Sequence, residues 1–130
     1  MGFLKKTDSN ESTNNPGSTR FANEAAYRNC VIKTLRRIEE ALEEIDPDLV
    51  ECSLSQGALT LQFSDSTKCI LSAQPSVQQV WLAAASQGIA HHFDWDSKKQ
   101  QWLDDKKGTI ELFDFLKKLI WNQVRVEMDW

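Results

Sequence analysis

The sequence predicts an α+β fold, a two-layer α/β sandwich with two helices packed on one face of a mostly antiparallel β-sheet. Three patterns carry the prediction: an apolar stripe of helical period near the start, short runs in strand rhythm through the middle, and a second helical stripe near the end. Each helix has one apolar face, so one side of the sheet can bury both and leave its other side to water. At 130 residues the chain has room for one modest core.

The first stretch, 1–22, is rich in Ser, Thr, Asn and Asp around Pro16-Gly17, and is expected to form a disordered arm ahead of a single domain, 23–130. From Asn23 the pattern changes. Val31, Leu35, Ile38, Leu42 and Ile45 make one stripe, with Arg36, Arg37, Glu39, Glu40, Glu43 and Glu44 off it. Pro47 stops this helix, since proline lacks a backbone donor and restricts the residue before it.

Strands follow. Cys52 to Ser55 and Leu59 to Phe63 alternate around a Gln56-Gly57 turn, which reads as a hairpin with one apolar face. Lys68 to Ala73, Val77 to Ala84, Ile89 to Trp95 and Gln101 to Asp104 complete the meander, and Lys106-Lys107-Gly108 makes the last turn. A second helix is expected to open at Thr109 as N-cap, with Glu111 in its first turn. Leu112, Phe113, Leu116, Leu119, Ile120 and Val124 form its stripe, and Trp130 at the end of the tail is a candidate to cover the space between the helices.

Composition excludes several function classes. A formal charge of -4 disfavours nucleic-acid binding, which needs an excess of Lys and Arg against phosphate. A cation or a basic partner surface fits better. Cys30, Cys52 and Cys69 form no CxxC pair and read as free thiols. No apolar run approaches the roughly 18 residues of a membrane-spanning helix, and Lys6 stands where a myristoylation motif wants Ser or Thr. The expected location is the cytoplasm.

Two constellations carry chemistry. Residues four apart on a helix lie side by side, so Glu39 with Glu43 and Glu40 with Glu44 make adjacent acid pairs, and Asp46, Asp48 and Glu51 extend the line. Such a ridge offers oxygen donors to hard cations, but a convex solvated face encloses no ion, and weak binding of several cations is what it can do. An ordinary solvated helix face has the same composition. The second constellation is Gln79-Val80-Trp81-Leu82-Ala83. If Val80 and Leu82 enter the core, Gln79 and Trp81 must point the other way, which places an indole on the open sheet face. His91 and His92 are neighbours in a strand and so face opposite sides, which works against joint chelation. No nucleophile and base pairing, glycine-rich phosphate loop, HExxH or EF-hand pattern is present.

In this order and spacing, Ile38-Glu39-Glu40 and the acids after it, Gly57-Ala58-Leu59-Thr60-Leu61-Gln62-Phe63, Gln74-Pro75, Gln79-Val80-Trp81-Leu82-Ala83, Gly88, His92-Phe93-Asp94, Trp102 and Gly108 resemble the frataxins, including the bacterial CyaY-type proteins. The resemblance spans roughly Tyr27 to Ile120. It implies two helices on one face of an antiparallel sheet, weak binding of ferrous or ferric iron with other divalent cations competing, and association with the cysteine desulfurase and scaffold protein of iron-sulfur cluster assembly. Carried over by position, Glu39, Glu40, Glu43, Glu44, Asp46 and Glu51 are the iron-facing ridge, to which the residue pattern adds Asp48. Gln79 and Trp81 belong to the partner face, joined there by Gln74, Ser72 and His92.

The chain departs from the family in four places. It has Ser72 where Asn is usual, its Pro75 stands one residue early, its segment from Asp96 to Gln101 is longer than in bacterial relatives, and His92 stands where eukaryotic relatives often carry arginine.

The leading expectation is a non-catalytic, monomeric regulator of iron-sulfur assembly that donates or senses iron, with oligomers forming on iron. A eukaryotic source would move it to the mitochondrial matrix. Two alternatives stay open: a ferroxidase that stores iron in oligomers, and a small acidic secretion chaperone working as a dimer.

Overall fold

In the computed structural model, which describes residues 21–130, the elements run α1 (Glu24–Leu42), β1 (Val50–Ser55), β2 (Ala58–Phe63), β3 (Lys68–Gln74), β4 (Gln79–Ala84), β5 (Ile89–Asp96), β6 (Gln101–Asp104) and α2 (Leu112–Val124). The six strands form one antiparallel sheet in sequence order. Every connection within it is short. Gln56 and Gly57 both take positive φ, 53° and 78°, a geometry that matches strand twist and sets Ser55 opposite Ala58.

Strand alternation builds the core. Leu59, Leu61, Phe63, Cys69, Leu71, Val80, Leu82, Phe93 and Trp102 are buried, and they meet Tyr27, Val31, Leu35, Ile38 and Leu42 from α1 and Leu112, Leu116, Leu119 and Ile120 from α2. The two-helix, one-sheet sandwich expected from the sequence is the fold observed. Its outer face is left to Thr60, Gln62, Ile70, Trp81, Ala83 and His92.

Two buried polar groups tie α1 to the sheet. The Tyr27 hydroxyl donates to the Gln79 carbonyl at 2.6 Å and accepts from the Gln74 amide at 2.9 Å, so it bridges the end of the β3–β4 hairpin. The Trp102 Nε1 donates to Thr34 Oγ1 at 2.9 Å, and that hydroxyl donates in turn to the Cys30 carbonyl at 2.9 Å. A buried indole N–H needs such a partner.

Several boundaries differ from expectation. The helical stripe continues to Ile45, but α1 ends at Leu42 and Glu43 caps it. Asp46, held out of helical geometry by Pro47, accepts the Asp48 amide on its side chain and the Leu49 amide on its carbonyl, turning the chain into β1. Val77 and Gln78 lie in the β3–β4 turn rather than in β4, with Gln78 at φ 54°. Thr109 does not cap α2. Glu111 does, accepting the Phe113 and Asp114 amides on its carboxylate; its backbone bridges to Leu103, so the helix cannot begin before Leu112.

Phe21, expected in the arm, packs instead against Tyr27, Trp95 and Trp102 with ring centroids 5.5 to 6.2 Å away. Residues 1–20 of that arm lie outside the described residues. At the other end Trp130 Nε1 donates to the Phe113 carbonyl at 2.9 Å, and Arg37 of α1 lies 4.2 Å over the Phe113 ring, so the tail packs on the start of α2 at the rim of the space between the helices without filling it.

Candidate functional site

The outer sheet face brings together all five residues expected to meet a partner. Cross-strand register sets Ser72 opposite Trp81, Trp81 opposite His92, and Gln74 opposite Gln79. The Trp81 indole is half-buried because the His92 imidazole stacks on it, with centroids 4.1 Å apart and planes 9° from parallel. Its Nε1 donates to the Gln79 side-chain oxygen at 2.8 Å. The other end of that amide donates to Asp94 Oδ1 and Asp105 Oδ2, each at 3.1 Å. His92 Nδ1 stands 3.6 Å from the same Asp105 oxygen.

Gln79 is therefore a fixed connector rather than a free amide, held by Asp94 and Asp105, with His92 close to the second of these. Sequence reasoning missed the two aspartates. Asp94 was within reach, since it follows His92 by two and shares its face; Asp105 sits in the turn after β6, where no period applies. Beside this network Ile70 is 40% exposed, opposite Ala83 in the register, and continues the apolar surface.

The acids occupy the end of α1 and the turn after it. Glu43 keeps helical φ and ψ of -63° and -21° and donates its amide to the Glu39 carbonyl, so these two carboxylates lie one turn apart as expected. Glu40, Glu43, Glu44, Asp46 and Asp48 are exposed and Glu39 is half-buried. Among the described residues none of the seven acids of the ridge makes an ion pair.

Glu51 departs from this arrangement. Val50 is buried and Cys52 faces α1, so Glu51 projects from the outer sheet face opposite Gln62. Among the described residues no three His, Cys, Asp or Glu side chains converge to hold a metal ion. The ridge offers carboxylates in a row, suited to loose attraction of cations rather than to a closed coordination shell.

The frataxin-like family model matches residues 20–126, nearly the whole described chain. The chain belongs to the frataxin-like family. Among relatives, the iron-sulfur cluster assembly protein CyaY of Pseudomonas fluorescens is 33% identical over 107 residues, covering 82% of this chain and 94% of that one. The CyaY protein of Psychromonas ingrahamii is also 33% identical, over 83% of this chain and 97% of its own length. A solved structure of frataxin from Psychromonas ingrahamii superposes with a TM-score of 0.73 at 31% identity, covering 82% of this chain and 96% of that one. Trimeric yeast frataxin gives 0.60 at 26% identity, covering 83% and 84%.

The thiols of this frataxin-like chain are held neutral. Burial pushes Cys30 and Cys52 up to about 11, with the Glu39 and Glu43 charges adding to the rise at Cys52. Burial alone takes Cys69 to about 12. None is primed as a nucleophile or a soft metal ligand. Asp104 is opposite in sense: burial raises it, but the backbone N–H groups of Ile110, Lys107, Thr109 and Gly108 outweigh that and hold it below the ordinary aspartate value.

Proposed function

We propose that this protein regulates iron-sulfur cluster assembly as a weak iron binder that docks on the assembly machinery, without catalysing a reaction itself. The observation that carries the proposal is the pre-ordered outer face, where Gln79, His92, Asp94 and Asp105 hold one indole at a set angle in contact with water. Aromatics held rigidly at the centre of a patch are what protein interfaces use as anchors. The relatives named for iron-sulfur cluster assembly give the pathway. Cysteine desulfurase and the scaffold protein are the partners, the ridge facing a basic surface of the first and holding ferrous or ferric iron loosely.

The test is a pull-down against cysteine desulfurase and scaffold, with and without ferrous iron. Trp81→Ala should lose scaffold binding, whereas changing Glu39, Glu40, Glu43 and Glu44 to lysine should lose desulfurase binding and iron-dependent spectral shifts. Unchanged binding in both variants would remove the proposal. A ferroxidase is less well supported, because oxidation needs a site that holds iron with a position open to oxygen, and the ridge is an open row. Oxygen uptake depending on Glu43 and Glu44 would favour it. Family membership tells against a secretion chaperone.

A further inference from the structure

Beyond the Glu24–Arg28 ion pair of its first turn, charge along α1 is divided: Lys33, Arg36 and Arg37 precede the acids of the last turn and the bend after it, Glu39, Glu40, Glu43 and Glu44. Lys33 and Arg37 lie one turn apart and face a groove of about 730 Å3 between α1, the β5–β6 connection and the start of α2. Lys99 reaches the groove from that connection, and the half-buried rings of Phe21, Trp95, Phe113 and Trp130 line it. Among the described residues none of the three cations makes an ion pair. One carboxylate, Glu111, shares the lining, and both its oxygens already accept the first amides of α2.

The geometry points to a second binding site in this groove, for a small molecule that joins a planar ring to several negative charges, the chemistry of a nucleoside polyphosphate. The volume falls within the roughly 300 to 1,000 Å3 of small-molecule sites. Ring faces accept a flat apolar body, and Lys33 and Lys99, with the Arg37 guanidinium that lies over the Phe113 ring, can donate to phosphate or carboxylate oxygens. A bare anion would use none of the ring surface, and a neutral ring would use neither Lys33 nor Lys99. The site is separate from the sheet-face network and from the ridge, so it stands whether or not the proposed partners bind there.

The test titrates the full chain with metal-free ATP, reading tryptophan emission and indole N–H shifts, with adenosine and inorganic tripolyphosphate as separate arms. ATP should bind saturably and each fragment should bind more weakly. Lys33→Glu with Lys99→Glu should weaken ATP by about tenfold or more, equivalent to about 1.4 kcal/mol. Both side chains are exposed and neither makes an ion pair among the described residues, so the circular dichroism and melting temperature of this variant should stay as in the wild type. The site is overturned by absence of saturable binding, by ATP binding that the double variant leaves unchanged, by tripolyphosphate matching ATP, or by an acidic peptide competing as tightly as ATP.

Discussion

The His92 imidazole lies flat on the Trp81 indole, 4.1 Å from it between centroids, and so hides one face of that ring. Removing the histidine should uncover that face without disturbing the core. His92→Ala is expected to shift Trp81 emission to the red and raise its quenching by acrylamide, with the fold intact by circular dichroism. Trp81→Ala should cost about 1 kcal/mol or less, as a cross-strand contact on a wet face. Leu82→Ala, one residue on and 1% exposed, should cost about 2 to 5 kcal/mol. Urea denaturation compares them directly.

Thr34 is the only hydrogen-bond partner of the Trp102 indole among the described residues. Thr34→Val keeps the shape and strands a buried donor, which costs about 1 to 3 kcal/mol. The melting temperature should fall while Trp81 emission on the opposite face stays unchanged.

Asp104 accepts the Lys107 amide at 3.0 Å and the Ile110 amide at 2.7 Å, closing the turn that leads into α2. Its pKa in the fold lies below the ordinary value of 3.8, so its contribution is fully present above that value and is lost as pH falls through the folded one. Asp104→Ala should lower stability by about 2 kcal/mol at neutral pH. Melting temperatures measured down the acid range should show the gap between wild type and variant closing.

The ridge acids, without an ion pair among the described residues, work against the fold. Changing Glu39, Glu40, Glu43 and Glu44 to glutamine should raise stability at low salt by a few tenths of a kcal/mol for each relieved pair, seen as a higher melting temperature. The gain should fade as salt screens the charges. A lower melting temperature at low salt contradicts it.

Cys52 lies beneath the same acids, and burial with their charges sets its thiol at about 11. Alkylation by iodoacetamide near neutral pH should be slow at Cys52 and slower at the buried Cys69. Glu39→Gln with Glu43→Gln should quicken labelling at Cys52 and leave Cys69 unaffected, as peptide mass mapping would show.

Much of the candidate site is legible in the sequence. The outward turn of Trp81 followed from Val80 and Leu82 needing the core, and the gathering of Glu39, Glu40, Glu43 and Glu44 followed from helical spacing. The alternation that placed Trp81 also applies to Val50, Glu51 and Cys52, where it sets Glu51 on the face away from α1; a line of acids drawn through the sequence obscured that. Helix ends were harder to read, because Glu111 caps α2 only after its backbone has bridged to Leu103.

Period and composition by themselves determined which side of each element is apolar, and with it the sandwich, the wet outer face and the acid bank, because burial of a stripe needs no knowledge of what covers it. Only the tertiary structure decided the partners: His92 on Trp81, Asp105 holding Gln79, Thr34 beneath Trp102, and Lys99 brought across from Lys33. Those pairings depend on strand register and on where each helix docks, and a repeat within one element cannot encode its offset from a distant one.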